Sequence, residues 1–298
     1  VMPMLRRRGA GGAWLLTAAC AARGCAAFAE TLSVPALPGM RRKLNIAYTN
    51  EVRAVDDWLV EHASSADALG FDTETASPFA GRRLPTAGPH VLQLGKGNDA
   101  LVVHLARGRG GTLSSKKLAD VLRDPSIFKC GVGLDDDALE LYRLDSRLAM
   151  RGRLDVGGRR GTRNLALRLV ASRAAGIPLA PKAKKIAKSN WSRDLTHEQL
   201  TYSARDAWLG AVVFEGLKTE TGFLAAATAA INAQIPIAEL SELASKRRTL
   251  KVQMRQLDRD VPAESEQYAA LRRQLATLPR PDPRMEINLH AFSESDEV

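Results

Sequence analysis

Two carboxylates stand two residues apart at the end of an apolar run, Ala68-Leu69-Gly70-Phe71-Asp72-Thr73-Glu74. In a strand, side chains two residues apart leave on the same face, so Asp72 and Glu74 would stand side by side. Like charges in that position repel. A divalent cation between them relieves the repulsion, and hard oxygen ligands suit Mg²⁺ or Mn²⁺. A solvated turn at a strand end has the same residue pattern, so this motif alone leaves both readings open.

A second acidic group, Asp135-Asp136-Asp137, follows Gly131-Val132-Gly133. Aspartates at a helix start can cap free N–H groups and complement the helix dipole, which would account for all three without chemistry. The functional reading takes one of them for a metal site. The third group is Tyr202-Ser203-Ala204-Arg205-Asp206. Residues four apart on a helix are neighbours on one face, so Tyr202 and Asp206 can act at one point in space. A packed ring beside a surface charge is the plainer alternative.

The elements that must position these groups are legible from apolar patterning. Val52, Val55, Trp58 and Leu59 have helical spacing. Residues 68–71, 90–94 and 101–105 are short apolar runs separated by Gly, Pro and Asn, predicting three neighbouring strands joined by hairpin-like turns. A helix is expected over 114–122. Residues 127–133 then read as a buried strand ending in glycines, followed by a helix from Asp135, the βα unit of an α/β sheet. Further helices are predicted over 162–172 and 196–217, the second started by a Thr196/Gln199 capping box. Residues 225–278 are helical in composition, and Leu243, Leu250 and Leu257 recur at heptad spacing, read either as a coiled-coil seam or as an appendage packed on the core.

In order and context, the three acidic groups resemble the DEDDy branch of the DnaQ-like 3′-5′ exonucleases, nearest to Werner-type and ribonuclease D-type domains. The resemblance runs from about Arg53 to Leu217. Phe71-Asp72-Thr73-Glu74 is similar to the first motif, and Leu92-Gln93-Leu94 to the strand after it. Lys129-Cys130-Gly131-Val132-Gly133 through Asp137 is similar to the second, with the Gly-Val-Gly run aligning the family's acid with Asp137. Leu154-Asp155-Val156 resembles the short strand that follows. Ser189-Asn190-Trp191-Ser192, Leu195-Thr196, Gln199, Tyr202 and Asp206 resemble the third. Tyr202 indicates the tyrosine class, since the other branch has a histidine where this chain has Thr201.

The resemblance implies an α/β fold, a ribonuclease H-like mixed sheet flanked by helices, with a helical C-terminal appendage. It implies hydrolysis of DNA or RNA from a free 3′ end to nucleoside 5′-monophosphates with two ions, Mg²⁺ or Mn²⁺. Asp72, Glu74 and Asp206 would hold one ion, Asp72 would bridge to the second, Asp137 would hold that one through water, and Tyr202 would align the attacking water. Arg82, Arg83, Lys185 and Lys188 are candidates for phosphate contacts, equally well read as a solvated basic surface. Trp191 either stacks on a base or packs in the core. Two competing classes stay open: an inactive nucleic-acid-binding scaffold with the exonuclease fold, and a ribonuclease H-like endonuclease.

Bulk properties agree but decide little. The 298 residues are 45% hydrophobic and 26% charged, ordinary for a globular chain. A net charge of +10 and pI near 9.8 favour polyanionic partners, though part of that charge lies near the termini. The three cysteines, Cys20, Cys25 and Cys130, support neither a disulfide framework nor a zinc site. Residues 1–40 have basic residues, an apolar stretch at Trp14-Leu15-Leu16 and no acid before Glu30, which is the composition of a targeting segment. Mitochondrion or plastid is the expected compartment, with the nucleus as alternative. The remaining division is 41–220 as exonuclease domain, 221–280 as helical extension and 281–298 as a disordered tail. No integral membrane association is expected, and an unwinding helicase or an oligomer partner would be separate from this chain.

Overall fold

The structure is a computed structural model, and it describes residues 29–34, 43–76, 88–106, 115–157, 159–160, 163–164, 167–177, 184–260 and 266–278. Seven strands form one sheet: β1 (Ala29–Val34), β2 (Leu44–Thr49), β3 (Ala68–Glu74), β4 (Val91–Lys96), β5 (Asp99–His104), β6 (Phe128–Gly131) and β7 (Arg153–Asp155). Their order is β1-β2-β5-β4-β3-β6-β7. β3, β4 and β5 are joined antiparallel, as expected, and the last two meet at a two-residue turn through Gly97 and Asn98. Pairs β2–β5, β3–β6 and β6–β7 are parallel, so the sheet is mixed.

Both faces are covered. Along β5, Ala100 and Val102 enter one apolar core while Leu101 and Val103 enter the other. Strands buried on two sides read as continuous apolar runs rather than alternating ones, which is why these were visible in the sequence. One face carries helices α1 (Val52–His62), α2 (Lys116–Arg123) and α3 (Leu134–Leu144), through residues such as Trp58, Leu122 and Leu141. The opposite face carries α4 (Leu167–Ala175), α6 (His197–Leu217) and α7 (Phe223–Asn232), with the short α5 (Lys184–Ala187) before α6. Two helices complete the fold, α8 (Ile237–Asp260) and α9 (Glu266–Thr277).

Glycine lets α6 lie directly on the sheet. Gly70 of β3 and Gly95 of β4 are directly opposite each other. A Cβ at Gly70 would overlap the Ala207 carbonyl oxygen, and one at Gly95 would stand 2.7 Å from the Ala207 and Trp208 backbone. This close approach fixes which part of α6 lies over the end of β3.

The C-terminal helices are tied into the domain. Phe223 and Ala227 of α7 join the core under α6, whereas Ile237 and Leu240 of α8 join the core under α3. Between them, the Gln234 side chain accepts from the Arg153 backbone N–H and donates to its carbonyl oxygen, so it pairs with edge strand β7 as another strand would. Leu243 is buried, while Leu250 and Leu257 are half-buried on the part of α8 that runs beside α9.

β1 and β2 were not foreseen. β1 falls inside the stretch 1–40 expected to be a targeting segment, and it pairs antiparallel with β2 along the sheet edge. Residues 1–28 and 35–42, which carry most of that expectation, and the tail 281–298 lie outside the described residues. Among the described residues no single helix is long and apolar enough to cross a membrane.

Candidate active site

β3 supplies the first two acids. Its alternation sends Leu69 and Phe71 into the core under α1–α3 and leaves Asp72 and Glu74 on the α6 side, both half-buried. Asp206 comes to them from α6, 4% exposed. Ligand oxygens of Asp72, Glu74 and Asp206 all lie within 4.8 Å of one another. The expected capping box sets the register of that helix: Thr196 accepts from the Gln199 N–H at 3.2 Å, and the Gln199 side chain accepts from the Thr196 N–H at 2.9 Å. Gln199 also donates to Ser189 Oγ at 2.8 Å, which fastens the preceding loop to the same turn.

Asp137 stands beside this cluster rather than in it. It occupies the first turn of α3 and accepts a 2.6 Å hydrogen bond from Thr73 Oγ1, the residue between Asp72 and Glu74. Burial pushes its carboxyl up to about 7, the Thr73 hydroxyl opposes that, and Glu140, Asp136 and Asp155 add to it. The capping reading of the aspartate triplet is not realised. The cap position is Gly133 in the left-handed region at φ 85°, without a side-chain cap bond, and Asp135 instead accepts from Arg153 Nε at 2.7 Å. Three acids in the first turn still complement the helix dipole.

Asp155 is a contributor that sequence reasoning placed only as part of a strand. Its two carboxylate oxygens accept from the Gly133 and Gly157 N–H groups, each at 2.9 Å. It thereby ties the Gly-Val-Gly turn that starts α3 to the end of β7. The only signal for this in the sequence was an acid at a strand end.

Tyr202 lies one turn before Asp206 on α6, half-buried, its ring 6.0 Å from that of Trp191. Trp191 is fully buried and its indole donates to the Ala187 carbonyl at 3.4 Å. Its core reading is therefore the one the structure takes, and a base has no open ring face to stack on. Lys185 and Lys188 are exposed, in and just after α5. Arg82 and Arg83 lie outside the described residues.

No protein-family model matches the chain. Two curated proteins do, both exonuclease 3′-5′ domain-containing protein 2. The mouse protein is 35% identical over 181 residues, which are 57% of this chain and 27% of the mouse protein. The human protein is 35% identical over 113 residues, 35% of this chain and 18% of its own length. The chain thus matches about a quarter or less of the length of these relatives. Among solved structures, Escherichia coli RNase D, an exoribonuclease involved in structured RNA processing, superposes with a TM-score of 0.50 at 20% identity, covering 70% of this chain and 54% of that one. At that identity the likeness is one of fold, and the fold is the helix-flanked mixed sheet described above.

Proposed function

We propose, from the DnaQ-like 3′-5′ exonuclease domain that this chain carries, that it hydrolyses nucleic acid from the 3′ end and releases nucleoside 5′-monophosphates. The observation that carries this reading is the convergence of Asp72, Glu74 and Asp206 from β3 and α6, with ligand oxygens within 4.8 Å. Three carboxylates that close repel when ionised, and the set is all hard oxygen, so it fits Mg²⁺ or Mn²⁺. A bound ion of this kind lowers the pKa of its water and neutralises charge on phosphate. Asp137, held by Thr73 next to the cluster, is the residue for a second ion.

The chain's own residues supply position. Tyr202 presents its phenol on the same side of α6 as Asp206, where it can hydrogen-bond the attacking water and aim it at the scissile phosphate. Trp191 packs on that ring and limits its freedom. Lys185 and Lys188 are exposed cations for phosphates of the bound strand. DNA, RNA or both remain the substrate class under this reading.

Product analysis tests it. Incubation of single-stranded DNA and RNA with the protein and Mn²⁺ is expected to yield 5′-mononucleotides from the first time points. Short oligomers instead would make the protein an endonuclease, and binding without any product would make it a scaffold.

A further inference from the structure

We propose, on the metal-site reading above, that Gln93 is a positioning residue of the carboxylate centre, its buried and unpartnered side-chain amide being the donor that turns to the Asp72 carboxylate as the centre takes a cation. Gln93 lies in the middle of β4 and is 0% exposed. It is directly opposite Asp72 in the antiparallel β3–β4 ladder. Residues so paired leave the sheet on the same face with Cβ atoms about 5 Å apart. Neither amide atom of Gln93 has a hydrogen-bond partner among the described residues.

A sealed amide without a partner destabilises the fold, so an apolar side chain would serve packing better at this position. Its neighbours on that face narrow what the amide is for. Along β4 they are Val91 and Gly95, and across the ladders they are Val102 and Asp72. Of these, Asp72 alone has a side chain that can exchange a hydrogen bond, the polar residues Glu74 and His104 standing diagonally, one pair further along the ladders. The backbone N–H of Thr73 already donates to Asp72 Oδ1 at 3.0 Å. Turned to that carboxylate, an amide N–H of Gln93 would be a second donor from another direction, and two donors fix the plane of a carboxylate where one leaves it free to turn. Partners of this kind set the orientation of ligating groups in metal sites.

Calorimetric titration of the full chain with Mn²⁺ tests this, comparing wild type, Gln93→Met and Asp206→Asn. Met matches Gln in length and lacks the amide. Gln93→Met is expected to bind Mn²⁺ about 10–100-fold more weakly, with a metal-free melting temperature equal to or above that of wild type. Wild-type Mn²⁺ affinity in Gln93→Met, alongside loss in Asp206→Asn, would overturn the role of Gln93 and leave the metal site standing. If wild type binds no Mn²⁺, or Asp206→Asn binds as wild type does, the metal-site reading falls and the role of Gln93 with it. Gln93→Leu replaces Gln93→Met in the same titration should the latter not fold, with the same outcomes.

Discussion

Thr73 Oγ1 donates to Asp137 Oδ1 across 2.6 Å, so the residue between the two acids of β3 reaches an acid in the first turn of α3. β3 therefore addresses both sides of the sheet at once. Asp72 and Glu74 turn toward α6, and Thr73 turns toward α3. Thr73→Val keeps the shape and removes the donor. It is expected to lower the unfolding free energy by about 1–3 kcal/mol, because the carboxyl of Asp137 stays buried without that partner. Urea denaturation measures this, and nuclease assays should show a fall of about tenfold or more if Asp137 works from that position.

The glycine contact under α6 makes a sharper prediction. Gly70→Ala drives a methyl into the Ala207 carbonyl, which is backbone and cannot step aside. Overpacking of this kind costs about 1–3 kcal/mol or more. Because Asp206 precedes Ala207, the same shift moves it away from Asp72 and Glu74. Gly70→Ala should therefore lose both melting temperature and Mn²⁺ affinity. Gly97→Ala, where nothing lies within 4 Å but φ is +60°, should cost stability alone.

Lys129 gives the pH dependence of stability. It is fully buried, its ammonium donating to the Val121 and Asp124 carbonyls at 3.1 and 2.7 Å. Burial lowers its pKa to about 7; Asp124 opposes the shift, and Arg151 and Arg153 add to it. In the unfolded chain a lysine titrates near 10.4. Between these values the unfolded state holds a proton that the folded state lacks, so stability rises with pH across that window. Its burial cost is present in full below about 7 and disappears as pH approaches the unfolded value. Relative to Lys129→Met, the wild type should gain stability from pH 7 to 9 with a slope of up to about 1.4 kcal/mol per pH unit. Urea midpoints at several pH values read this, and equal slopes for the two proteins would contradict it.

Arg153 joins the C-terminal helices to α3. Its guanidinium donates to Asp135 at 2.7 Å, to the Met150 carbonyl at 2.7 Å and to the Ile235 carbonyl just before α8 at 2.9 Å. Arg153→Met should cost about 1.5–3 kcal/mol, the range for a hydrogen bond to a charged group. Limited proteolysis should then cut first between α7 and α8.

What the sequence disclosed was what depends on local pattern. The apolar runs of β3, β4 and β5, the Asp72/Glu74 spacing and the Thr196/Gln199 box each follow from neighbours in the chain. β1 escaped because it is exposed, in a stretch whose composition is that of a targeting segment. β2, with Leu44, Ile46 and Tyr48 buried, alternates as a strand should but lacks the continuous apolar run that marks β3, β4 and β5. The destinies of Asp135, Asp137 and Asp155 depend on partners 18, 64 and 22 residues away, and nothing in their local context states them. The same holds for Lys129, whose burial inside an apparently plain strand relies on carbonyls of the α2 region.

The most direct test of the account follows a 5′-labelled single strand, as DNA and as RNA, through a time course with Mn²⁺, for wild type and Asp72→Ala. The account predicts a ladder that shortens one nucleotide at a time from the 3′ end with wild type and an intact strand with Asp72→Ala. A ladder that is unchanged by Asp72→Ala, or internal cuts in place of stepwise shortening, would contradict it.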